Sequence, residues 1–152
     1  METRPSAICY TESSDGFNWS SPRRSPLQIQ GTPSHEFVFF IDPVASSDET
    51  YKCIFPVWPP KNKLPGLWAE YRKIHPRYRD TRIGPNRIQC MYGAVSPDGI
   101  DWRVLTKPLL INFGDTDNSI YYDKLLQRYV MYTRKYIHCL LYTSPSPRDQ
   151  RG

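Results

Sequence analysis

The side chains best suited to proton transfer in this 152-residue chain sit ahead of two apolar runs. His35-Glu36 leads into Phe37-Val38-Phe39-Phe40-Ile41, and Asp115-Thr116-Asp117-Asn118 leads into Ser119-Ile120-Tyr121-Tyr122. Superposing Phe37 to Phe40 on Ser119 to Tyr122 sets His35 opposite Asp117 and Glu36 opposite Asn118. Imidazole and carboxyl groups are what general acid–base chemistry uses. An ordinary polar loop is the plain alternative for 115–118. Asp42 and Asp123 fall at the far ends of the same runs, where an Asp starts a turn by accepting its own backbone N–H groups. The three cysteines before the tail, Cys9, Cys53 and Cys90, lie in apolar runs without metal-ligand spacing, so we expect buried thiols, with an unassigned disulfide as the alternative, and neither metal nor cofactor.

Composition sets the frame for these residues. Fifteen prolines and a 14% aromatic content argue against long helices and for short strands with many turns. A net charge of +5 supports solubility without implying a polyanionic partner. No stretch is apolar and long enough for a membrane-spanning helix. From Tyr71 to Arg87 basic residues are interleaved with Tyr71 and Tyr78; such a run can bind nucleic acid, but we expect a solvated loop, with neither nucleic acid nor membrane as partner.

Two copies of S-x-D-G-x-x-W punctuate the chain, Ser13 to Trp19 and Ser96 to Trp102, each after a strand-like run. Asp-Gly marks a tight turn because Gly takes positive φ at no steric cost, and each Trp is placed to fold back under it. Phe37 to Ile41 reads as a strand buried on both faces, Tyr51 to Val57 as its return, and Ile120 to Tyr132 as a second hairpin of the same plan. Residues 58–86 read as an insertion, with one or two helical turns over Leu67 to Ile74. The order is outer strands, inner hairpin, outer strands, inner hairpin. This implies an all-β fold with about two blades of four-stranded antiparallel sheet, an incomplete β-propeller over residues 1–138. An antiparallel sandwich is the alternative.

The segment from Cys139 to Asp149 resembles a translated transposon-type sequencing adapter, so residues 139–152 are expected to be a non-native tail, a Ser/Pro-rich linker being the alternative. The two turns, Phe37 to Pro43 and Asp117 to Tyr132 resemble the five-bladed β-propeller glycoside hydrolases, the superfamily of arabinanases, β-xylosidases, invertases and levansucrases. That resemblance implies a central funnel lined by the first strand of each blade, with carboxylates at strand starts and a carbohydrate substrate or glycan as partner. It makes Asp117 and Asp115 candidate catalytic groups, and His35, Glu36, Tyr121 and Arg134 candidate substrate-binding groups. The family's strand-starting Asp matches Asp117, whereas His35 stands at the equivalent place in the earlier blade. Hydrolysis of a glycosidic bond takes two carboxyl groups, and the alternative function is a non-catalytic propeller that binds glycan or protein.

Overall fold

The computed structural model describes residues 9–24, 36–76, 82–111 and 117–134. His35, Asp115 and the tail at 139–152 lie outside the described residues. Within them the chain is all-β apart from one helix and two single 3₁₀ turns. The strands are β1 (Cys9–Tyr10), β2 (Arg23–Arg24), β3 (Val38–Ile41), β4 (Tyr51–Val57), β5 (Cys90–Ser96), β6 (Arg103–Val104), β7 (Leu110–Ile111), β8 (Ser119–Asp123) and β9 (Arg128–Tyr132), and helix α1 is Leu64–Ile74. All pairings are antiparallel, and no sheet closes on itself among the described residues.

The central sheet runs β3-β4-β5, with β6 and β7 sharing the outer edge of β5. Its backbone is β4 paired with β5 along its whole length, from Tyr51 opposite Ser96 to Val57 opposite Cys90. Cys53, Ile54, Phe55, Cys90, Met91 and Ala94 on these two strands are almost completely buried, and each large apolar side chain taken from water contributes about 1.5–3 kcal/mol. The fourth position is split because the chain bows outward between β6 and β7. Leu105 and Leu109 return backbone N–H groups to Gly93 O and Met91 O (2.9 and 2.8 Å) while their side chains lie over Gly93, where an added Cβ would come within 3.0 Å of both.

Side-chain alternation gives the central sheet two dressed faces. Phe37, Cys53, Phe55, Tyr92, Ala94 and Trp102 pack together on one, toward the β1–β2 hairpin. Phe40, Lys52, Ile54, Gly93 and Val95 are turned to the other, where Ile120, Tyr129 and Met131 of the β8–β9 hairpin face them. Strands β3 and β8 lie beside one another. Three antiparallel sheets are thus layered face to face. The run Phe37 to Ile41 is not buried on both faces as expected: Phe39 and Ile41 are 49% and 64% exposed. Both point toward the short β1–β2 hairpin, which covers too little to exclude water from them.

The insertion is more ordered than its composition suggests. Leu64, Leu67, Trp68 and Tyr71 recur at helical spacing, and α1 extends three turns rather than one or two, with Pro65 in its first turn. Their side chains join Ile83, Ile88, Cys90 and Ile111 in a second core cluster at the β7 end of the sheet. Of the described thiols, Cys53 and Cys90 are buried as expected, but Cys9, on the separate two-stranded β1–β2 sheet, is exposed. None of these three cysteines is in a disulfide.

Candidate functional site

The two S-x-D-G-x-x-W segments fold into the same hydrogen-bonded turn. In each, Ser Oγ donates to Asp Oδ1 (2.9 and 3.0 Å) and accepts the Gly N–H (2.9 Å in both). The Asp Oδ1 also accepts two following backbone N–H groups at 2.8–2.9 Å. These backbone donors hold both Asp15 and Asp98 below the usual carboxylate range. The indole N–H of Trp19 or Trp102 then caps the Gly carbonyl (3.2 and 2.9 Å), and Gly16 and Gly99 take φ of 78° and 77°. Trp102 packs into the first-face cluster, whereas Trp19 is 60% exposed.

At the start of β8, Asp117 adopts a left-handed backbone (φ 61°). Its side chain is 83% exposed, and Arg134 Nη2 reaches its Oδ2 at 3.1 Å. The next residue, Asn118, is its opposite. It is only 8% exposed, and both its Oδ1 and Nδ2 are buried without a hydrogen-bond partner among the described residues. Such groups are costly when left unsatisfied. Glu36, just before β3, is half-buried with its Oε2 shielded from solvent. Tyr121 is on the outward face of the β8–β9 hairpin, half-exposed and stacked on Tyr132 with ring centroids 6.4 Å apart. Sequence reasoning passed over Asn118, reading it only as the counterpart of Glu36, because nothing in a single sequence distinguishes a buried Asn from a loop Asn.

Beyond the far end of β3 is a second cluster that the sequence did not reveal. Asp42 is a turn residue as expected: its Oδ1 accepts the Val44 N–H at 3.1 Å, and its own N–H closes the loop on Thr50 O at 2.8 Å. Its Oδ2, however, accepts hydrogen bonds from Lys52 Nζ and Tyr129 Oη, each at 2.6 Å. Lys52 also donates to the same tyrosine oxygen at 3.1 Å and lies over its ring. Burial alone would raise the Asp42 pKa, but the bonds from Lys52 and Tyr129 outweigh it and hold the carboxyl below its ordinary value. For Lys52, burial pulls down while the bonds to Asp42 and Tyr129 pull up and prevail. Asp123, the matching turn residue of the second hairpin, accepts only the N–H groups of Leu125 and Leu126 among the described residues, both at 2.9 Å.

The Asp42–Tyr129 bond joins the end of β3 to the residue paired with Tyr122 near the end of β8. The two hairpins therefore run in the same sense, and Glu36 and Asp117-Asn118 lead their first strands from the same end. No group of three or more His, Cys, Asp or Glu side chains able to hold a metal ion occurs among the described residues. Comparison of the chain with protein-family models, curated proteins and solved structures returned no match.

Proposed function

We propose that these residues are part of a β-propeller whose funnel takes a carbohydrate, hydrolysing or binding glycosidic substrates at the strand starts. The observation that carries this reading is the layered stack, in which β3 and β8 adjoin, run in the same sense, and are each led by polar residues: Glu36 in one case, Asp117 and Asn118 in the other. A stack of small antiparallel sheets with first strands side by side is how propeller blades surround an axis. The four-step meander from β3 to the split outer edge has the plan of one blade. Side chains at such strand starts converge on a common ligand from different sheets. Asp117 would then act on the glycosidic centre with a second carboxyl group, Asp115 being the nearest along the chain, and Asn118, Glu36 and His35 would take sugar hydroxyls.

Replacing Asp117 by Asn in the intact protein tests the hydrolytic reading against a panel of aryl furanosides and pyranosides. Loss of general acid–base participation lowers turnover by about 10²–10⁴-fold; unchanged turnover of every hydrolysed glycoside removes Asp117 from the mechanism. A second reading, glycan binding without hydrolysis, is favoured by the exposed Asp117–Arg134 pair, because a carboxylate beside a guanidinium offers acceptors and donors together to adjacent sugar hydroxyls. Binding on a glycan array with no cleavage of any of its members distinguishes it.

A further inference from the structure

The second copy of the repeated turn forms a wall of a cavity of about 390 Å³ between β1 and the first face of the central sheet. The residues that line it include the aromatics Tyr10, Phe39, Tyr51 and Trp102, together with Cys9, Ile41 and the Asp98-Gly99 turn. The volume lies within the range of small-molecule sites. Its walls are fixed from outside. The Tyr10 hydroxyl donates to Glu12 at 2.7 Å, and the Trp102 indole N–H is held by Gly99 O at 2.9 Å. Phe39 meets Trp102 edge-on at 5.4 Å. Tyr51 lies so close to Gly99 that an added Cβ would come within 3.3 Å of its ring.

A difference between the two turn copies gives this cavity its charge. In the first, Asp15 Oδ2 accepts the Asn18 side-chain amide at 2.7 Å, so both carboxylate oxygens are occupied. In the second, Asp101 replaces that asparagine. An aspartate has no amide to donate, and Asp98 uses only Oδ1 within the turn among the described residues. Its second oxygen is left for another donor. The nearby arginines are already committed, Arg103 to Glu49 at 2.6 Å and Arg23 to Glu12 at 3.2 Å.

We infer that this cavity is a binding site for an organic cation, an alkylated ammonium group held between the aromatic faces with Asp98 as its counter-charge. Aromatic quadrupoles attract cations at their faces, and cages of several rings suit quaternary ammonium groups because these give up little hydration on entry. A carboxylate at the rim adds the charge complementarity that a neutral ligand could not use. The inference stands apart from the carbohydrate reading, since it uses the outer turn and the first sheet face rather than the strand starts.

The exposed Cys9 thiol in the wall serves as the reporter. The full chain is alkylated with iodoacetamide at constant ionic strength, and Cys9 modification is followed by mass spectrometry with either choline or its neutral carbon isostere, 3,3-dimethylbutan-1-ol, present. Choline is expected to slow Cys9 alkylation at least threefold at saturation, with little effect from the alcohol. Phe39→Leu is expected to weaken this protection about three- to tenfold, and Asp98→Asn about tenfold. Should Asp98→Asn disrupt the turn, Phe39→Leu decides the matter alone. Equal protection by both compounds would mean an apolar cleft without charge selectivity, and protection by neither would mean no site. Either result, or wild-type choline protection in Phe39→Leu, overturns the inference.

Discussion

Replacing Asp42 by Asn is expected to cost far more stability than the loss of a surface ion pair. The Asp42 side chain is fully shielded and that of Lys52 is 21% exposed, so the pair is a buried one on the aspartate side. Removing one partner from a buried pair costs about 3–5 kcal/mol, against about 0–1 kcal/mol for an exposed pair. Asn can still accept from Val44 with its one amide oxygen and donate its amide N–H to Tyr129 Oη, and Lys52 keeps some access to water, which places the expected cost at about 3 kcal/mol. At about 2–4 °C per kcal/mol for chains of this size, the midpoint should fall by about 6–12 °C. Urea and thermal unfolding of Asp42→Asn, Lys52→Met and the double variant form the assay, with a coupling of at least about 1 kcal/mol expected between the two sites. The pH dependence has a definite sign. A carboxyl held below its unfolded value of about 3.9 contributes in full above that value, and the contribution is lost as pH falls through the lower folded pKa. For Lys52, raised above about 10.4, the contribution is complete below that value and lost as pH climbs through the folded pKa. Asp42→Asn should therefore flatten the acid limb of the stability profile. A loss under about 0.5 kcal/mol, the scale of an ordinary surface change, would refute the idea that this cluster fastens the β8–β9 hairpin to the central sheet.

Three other outcomes follow from local geometry. Gly16→Ala and Gly99→Ala both place a side chain at positive φ, costing about 1–2 kcal/mol, but Gly99→Ala should cost more because only there does Tyr51 stand in the way; paired urea melts measure the difference. Gly93→Ala pushes against Leu105 and Leu109 and is expected to destabilise by about 1–3 kcal/mol, while Gly66→Ala, with open space and a helical position, should be neutral or stabilising. Timed alkylation should modify Cys9 in the native chain but reach Cys53 and Cys90 only on unfolding, since both are buried and burial pushes the Cys90 thiol up to about 12.

Local chemistry accounts for what was legible from sequence. Asp-Gly with a Ser two residues ahead of the Asp and a Trp three after the Gly encodes a complete turn within seven residues, and both copies formed as read. Tyr51 to Val57 was legible because its apolar run is bounded by a polar loop and Trp58-Pro59-Pro60. What failed depends on long-range neighbours. Phe39 and Ile41 look like core from composition, and their exposure is set by how little β1 and β2 cover. Asp42 meets Tyr129 across 87 positions, a separation over which turn chemistry carries no information. Asn118 is polar in sequence and buried in space, and only the adjoining layers decide which property governs.

The split outer edge of the central sheet bears on how the molecule can associate. An uninterrupted edge strand offers a row of unpaired N–H and C=O groups to any other extended chain. Here β6 and β7 are two residues each, separated by a bow carrying Lys107 and Pro108, with Leu105 and Leu109 folded back over Gly93. A strand arriving at this side finds neither a straight ladder nor a matching register. The sheet is stacked upon at both faces but not lengthened at this rim, so fibre-like growth from this border is blocked.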